Sequence, residues 1–244
     1  DANIDTNTLM WKGFYPAVWG DGKNPDNVYD SYVSTYLQRD VRQILNIKDL
    51  SLFQKFLTIV ASRVGNVFIA SSIASELGVD YKTIQSWMSI LETSYTAFLL
   101  QPFHRNIGKR LTKTPKIYFY DIGLVCHLLG IENEQHIKNH PLRGAIFENM
   151  VVCEMLKRRY NKGLKNNLYF YRDQSAEVDV IQEEAGSIKA YEIKSAERFN
   201  HEFTKSLSYV QKLLGDEISS SYIIYSGEEE MKFKNFSLIN YHNL

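Results

Sequence analysis

Apolar residues recur at helical spacing along some stretches of the chain and alternate with polar ones along others. Over residues 32–47, Tyr32, Tyr36, Val41, Ile44 and Leu45 mark one apolar helix face. Residues 50–63 predict a first amphipathic helix. A short helix follows, with Ser71 or Ser72 as its cap and Gly78 as its stop. Asp80 is a good N-cap for a longer helix to about residue 93, apolar at Ile84, Trp87, Met88 and Leu91. Residues 97–103 and 116–120 read as strands, and 121–130 as a short helix ended by Gly130. From 142 the pattern becomes αβββαβ. A helix over 143–159 is followed by strands at 168–172, 177–182 and 188–195, a helix at 203–214 and a strand at 222–225. Residues 1–30 mix aromatics with Gly and Pro and read as loop-rich, while 131–140 are polar and read as a linker.

This order predicts an α/β chain, α+β overall, in four parts. They are an N-terminal loop and connecting helix (1–48), a winged helix-turn-helix domain (49–130), a linker (131–141) and an αβββαβ domain (142–244). A short helix, a Gly turn and a longer helix make the helix-turn-helix outline. The loop between the two following strands would be the wing.

Composition changes the picture little. The 244 residues carry no net charge, so nucleic-acid binding has to come from a local patch. His104 to Lys116 is such a patch, with Arg105, Lys109, Arg110, Lys113 and Lys116 and no acid. There the wing would lie on a phosphate backbone while Lys82, Thr83, Gln85 and Ser86 approach a groove. A basic loop that is merely soluble, on a protein-interaction module, is the competing reading. Cys126 and Cys153 form no metal-type spacing and read as core thiols of a reduced, cytoplasmic protein. No apolar run approaches a membrane span, and no signal peptide stands at Asp1. The opening residues look like mid-protein sequence and suggest an excised fragment. Gly108-Lys109-Arg110 is not a phosphate loop. His136 and His140, four apart, lack the carboxylate or Cys that would make them a metal motif.

The sharpest chemical signal is Glu177-Val178-Asp179-Val180 followed by Tyr191-Glu192-Ile193-Lys194. Alternation along a strand puts Glu192 and Lys194 on one face. Carboxylates on a half-buried sheet need a cation, and a divalent metal plus Lys194 would supply it. Asp179 and Glu192 would be the metal ligands, with the Ile193 carbonyl as a third. Lys194 would orient or deprotonate the attacking water, and Glu148 on the preceding helix would complete the acidic cluster. Glu148 could instead pair with Arg143 or Arg172, and Lys194 could simply neutralise Glu192. The further Glu230-Met231-Lys232 and Asp80-Tyr81-Lys82 lie in polar or helical contexts and carry no such meaning.

On these residues, 142–225 resembles the restriction-endonuclease-like PD-(D/E)XK core, with Val178 where the motif has Pro. Almost the whole chain resembles the C-terminal part of prokaryotic AAA-type P-loop ATPases that end in a domain of unknown function. The resemblance rests on Gly13-Phe14-Tyr15-Pro16, Tyr36-Leu37-Gln38-Arg39-Asp40-Val41, Lys116 through Leu124, Gly144-Ala145-Ile146-Phe147-Glu148-Asn149, Tyr171-Arg172 and the two acidic strands. Lys12-Gly13 stands where that group usually has Gly-Gly. The resemblance implies Mg²⁺ at Asp179 and Glu192, catalytic roles for Glu148, Asp179, Glu192 and Lys194, and ATP bound only in an N-terminal domain that would precede Asp1. The expectation is a nucleic-acid-binding module of an ATPase, with DNA or another nucleic acid as partner. The alternatives are an active Mg²⁺-dependent DNA endonuclease and a protein-interaction or sensor module. Oligomeric state stays open.

Overall fold

A computed structural model describes residues 4–36, 50–104, 113–184 and 186–244. The chain is of the α+β class and divides into two units. The first comprises residues 1–99 and 117–146, the second 100–116 and 147–244.

The first unit begins with three helices where the sequence predicts loops: α1 (Thr6–Lys12), α2 (Pro16–Trp19) and α3 (Pro25–Tyr36). The breakers punctuate these helices rather than prevent them. Asp5 caps α1 by accepting from the Asn7 and Thr8 N–H groups, and Pro16 opens α2 with the φ a first turn needs. Most of the helix predicted over 32–47 lies outside the described residues.

Next come α4 (Leu50–Ser62), α5 (Ala70–Leu77) and α6 (Tyr81–Thr93). Ile69, without a side-chain bond, caps α5 in place of Ser71 or Ser72. Gly78 ends it in the left-handed conformation, and Asp80 caps α6 through the Lys82 N–H. Phe53, Phe56 and Trp87 meet at centroid separations of 5.3–5.7 Å and anchor this part of the core. Strands β1 (Ala97–Leu100) and β2 (Lys116–Phe119) form a two-stranded sheet.

Helix α7 (Ile122–Leu128) starts at Asp121, whose carboxylate ties the unit together. Its Oδ1 accepts from the Tyr29 hydroxyl at 2.7 Å and the Gly123 and Leu124 N–H groups at 2.8 and 3.2 Å. Its Oδ2 accepts from the Phe14 N–H at 2.8 Å. Gly13, at φ 64°, has no room for a Cβ: one would strike the Tyr29 hydroxyl and the Asp121 carboxylate. The expected linker is instead packed structure. Helix α8 (Glu134–Lys138), capped by Asn133, lies against α1 with Ile131 and Ile137 buried. Two isolated apolar residues in polar sequence are too weak a pattern to announce a one-turn helix.

Helix α9 (Arg143–Asn161) leads into the second unit. Its sheet has the order β3-β4-β5-β6-β8-β7, built from β3 (Leu168–Arg172), β4 (Glu177–Glu184), β5 (Ser187–Lys194), β6 (Ile218–Tyr225), β7 (Met231–Lys232) and β8 (Ser237–Asn240). The β5/β6 and β6/β8 pairs are parallel and the others antiparallel. Helix α10 (Lys205–Leu214) carries Leu207, Val210 and Leu214 into a core with Ile181, Ala190, Ile223 and Leu238. The expected αβββαβ order is present, but β7 and β8 extend it. Their brevity and polar setting hid them. Glu230, of the second Glu-x-Lys, accepts from the Asn240 N–H and the Asn243 side chain.

Candidate active site

Strands β4 and β5 pair with Val180 opposite Tyr191, so the next rung sets Asp179 beside Glu192 on one face. Burial in a sheet centre demands a partner for each acid. Asp179, 7% exposed, accepts from the Ile193 N–H at 2.7 Å. Glu192, 5% exposed, takes the Lys194 ammonium on Oε1 at 2.6 Å. Its Oε2 is buried and has no hydrogen-bond partner among the described residues.

The electrostatics tie these groups into one cluster. Burial, then the Asp179 charge, push the Glu192 carboxyl up to about 8, against the lowering pull of Lys194. Burial lowers the Lys194 ammonium, but Asp179 and Glu192 more than offset it and hold the proton on. Glu148 acts on both groups from α9. The four residues singled out in the sequence, Glu148, Asp179, Glu192 and Lys194, are thus brought together.

Two members of the cluster were missed. Lys116, assigned to the basic wing patch, is instead buried, with Nζ 3.1 Å from Glu148 Oε1 and 2.5 Å from Glu177 Oε1. Arg172 reaches the other Glu177 oxygen at 3.3 Å, and Lys116 is a partner of Glu148 that the sequence reading did not weigh. Arg143 bonds Asn7. No local signal marked Lys116: it leads Ile117-Tyr118-Phe119, a run buried on both faces, but a lysine goes inside with such a run only where a charge partner waits.

A divalent ion fits this donor set in a limited sense. Among the described residues no three His, Cys, Asp or Glu side chains are arranged as a ready metal cage. Asp179 and Glu192 would supply two ligands, one of them the buried oxygen without a donor, and Mg²⁺ commonly takes one or two carboxylates and completes its shell with water and phosphate.

The expected nucleic-acid contacts are divided. On α6, Lys82, Gln85 and Ser86 are exposed and Thr83 half-buried, with Gln85 donating to the Tyr81 hydroxyl. Lys113 is exposed, and Arg105, Lys109 and Arg110 lie outside the described residues. His136 and His140 turn Nδ1 to the Glu132 and Leu142 N–H groups. Cys126 and Cys153 are buried and form no disulfide, and the Cys126 thiol donates to the Met10 carbonyl at 3.4 Å. No described helix is long and apolar enough to cross a membrane.

Residues 3–135, more than half of the chain, match the family described as Domain of unknown function (DUF8612). The chain belongs to that family. Residues 143–244 match a second, Domain of unknown function (DUF4143), so the acids Glu148, Glu177, Asp179 and Glu192 fall in that segment while Lys116 falls in the DUF8612 segment. Two curated relatives are "Uncharacterized protein Mb2031c" of Mycobacterium bovis and "Uncharacterized protein Rv2008c" of Mycobacterium tuberculosis. Each is 29% identical over 90% of this chain and 49% of the relative. The chain spans about half the length of the curated relatives it matches.

Proposed function

We propose that the second unit is a restriction-endonuclease-like domain whose Asp179 and Glu192 bind Mg²⁺ and present it to a phosphodiester of nucleic acid. The observation that carries this reading is the buried, donorless Glu192 Oε2 inside the Glu148, Asp179, Glu192 and Lys194 cluster. An unpartnered carboxylate oxygen in a sheet interior is unfavourable by about 1–3 kcal/mol, and a sequence keeps one where a ligand satisfies it. When bound, the metal supplies charge neutralisation and a more acidic water.

The chain's own residues do the rest. Asp179 is locked by the Ile193 N–H, so its carboxylate points one way before any ligand arrives. Lys194 stays protonated beside two acids, which suits it to holding a phosphate oxygen or a water rather than removing a proton from it. Glu192 accepts the Lys194 ammonium on one oxygen and leaves the other for a cation. Helices α5 and α6 and the β1/β2 pair support a winged helix that positions nucleic acid through Lys82, Thr83, Gln85 and Lys113. The parent protein, on this reading, is an AAA-type ATPase whose nucleotide site lies outside these residues.

A second reading is favoured by one observation: Lys116 and Lys194 already pair three of the carboxylates. The domain would then grip nucleic acid or a protein without cutting. The deciding experiment is Mg²⁺- or Mn²⁺-dependent cleavage of single- and double-stranded DNA by this chain, by Asp179→Ala and by Lys194→Ala. Cleavage that falls at least about a hundredfold in both variants supports the hydrolytic reading. Salt-sensitive DNA binding without cleavage leaves the recognition module, and neither activity moves the weight to a protein partner.

A further inference from the structure

Lys116 is enclosed at 2% exposure among acids and apolar rings, with Nζ 5.5 Å from the centre of the Phe170 ring. A lysine this deep is held only by charge pairing, and its two carboxylates come from different elements, Glu148 from α9 and Glu177 from β4. It therefore fixes the helix acid against the strand acid beside Asp179. Charge counting gives it a second consequence. With Glu192 ionised, as it must be to hold a cation, four carboxylates (Glu148, Glu177, Asp179 and Glu192) stand among the described residues against three cations (Lys116, Lys194 and the half-exposed Arg172), which leaves one net negative charge.

We propose that Lys116 is the built-in counter-cation of this site, a positioning residue that holds Glu148 and Glu177 and limits the site to one divalent ion. This rests on the reading of Asp179 and Glu192 as metal ligands and adds to it the site's capacity and the residue that sets it. One divalent ion brings the cluster to a single positive charge, suited to a phosphodiester. A second would leave three positive charges in a buried place, which Coulomb repulsion at short range forbids. Without Lys116 the deficit doubles, and the site attracts cations more strongly while holding Glu148 less well.

The test is Mn²⁺ binding to the full chain, read by calorimetry for stoichiometry and by electron paramagnetic resonance for bound ion, on wild type and on Lys116→Gln, Lys116→Arg, Glu177→Gln and Asp179→Asn. Wild type should take one ion. Lys116→Gln should bind about tenfold more tightly or admit a second ion, and Lys116→Arg should return to wild-type stoichiometry. Glu177→Gln, which touches no metal ligand role, should weaken binding severalfold, so the two neutralising variants move affinity in opposite directions. A purely structural lysine predicts no such opposition. If Lys116→Gln does not melt cooperatively, Glu177→Gln decides alone, and wild-type affinity there overturns the inference. Wild-type affinity in both variants overturns it as well. Binding that is absent in wild type, or unchanged in Asp179→Asn, sinks the metal reading itself and this inference with it.

Discussion

Asp121 in the first unit and Glu192 in the second are both acids buried in a core, and they are completed in different ways. Asp121 spends both oxygens on neutral donors: the Tyr29 hydroxyl and the N–H groups of Phe14, Gly123 and Leu124. Those donors come from α3, from the segment before α2 and from the start of α7, so the carboxylate joins three pieces of chain. Glu192 spends one oxygen on Lys194 and leaves the other without a partner, next to a second acid that pushes its own proton affinity up. A carboxylate surrounded by fixed neutral donors is a structural joint. One crowded by like charge, with an oxygen to spare, is built for something that arrives later.

The comparison breaks most sharply at Asp121. Asp121→Ala strands four donors at once and should destabilise the chain by about 3–5 kcal/mol, measured by urea denaturation at neutral pH. A loss under about 1 kcal/mol would show that water replaces the carboxylate and that Asp121 is no joint.

Gly123→Ala tests the same joint with a smaller effect. A Cβ at Gly123 strikes the Tyr29 ring and hydroxyl, so the ring must withdraw from Asp121. Destabilisation of about 1–3 kcal/mol is expected, and a double substitution with Tyr29→Phe should lose less than the sum. Strict additivity would separate the glycine from the hydrogen bond.

Glu192 should behave in the opposite way. In metal-free protein its folded value of about 8 lies above the ordinary 4.5, so between those pH values the folded state holds more protons than the unfolded chain. Stability therefore falls as pH rises from about 4.5 through about 8. Glu192→Gln should flatten that slope and leave the melting temperature at pH 8.5 equal to or slightly above wild type. A slope that persists in Glu192→Gln would move the titration to another group. Excess Mg²⁺ should raise the wild-type midpoint by a degree or two at pH 8 and leave Glu192→Gln unmoved, the smallest effect of the set.

Much of this contrast could be read from the chain. Asp80 and Gly78 bracket the α5/α6 turn as their chemistry requires, and the alternation around Asp179 and Glu192 placed both acids on strands before any coordinates. The misreadings share a cause. Lys116 looked like the last charge of a basic loop because local polarity says nothing of what lies opposite; its carboxylates are 32 and 61 positions away. Residues 1–30 looked irregular because Gly13, Pro16 and Gly20 are breakers in any local scale, yet each sits at a helix end where it is favoured. The segment at 131–141 looked like a linker because Ile131 and Ile137 show no period on their own.

The sequence by itself determined the helices and strands over 50–100 and 143–225 and the α+β class, and it singled out Glu148, Asp179, Glu192 and Lys194, because strand alternation, capping and turn chemistry are local and survive without context. Only the tertiary structure decided which charges neutralise which. Lys116 against Glu148 and Glu177, Asp121 against Phe14 and Tyr29, and the Glu192 oxygen left over are outcomes of long-range packing. A buried charge is stabilised by whatever partner the fold brings within reach, and for Lys116 and for the Phe14 and Tyr29 donors of Asp121 no short window of sequence contains that partner.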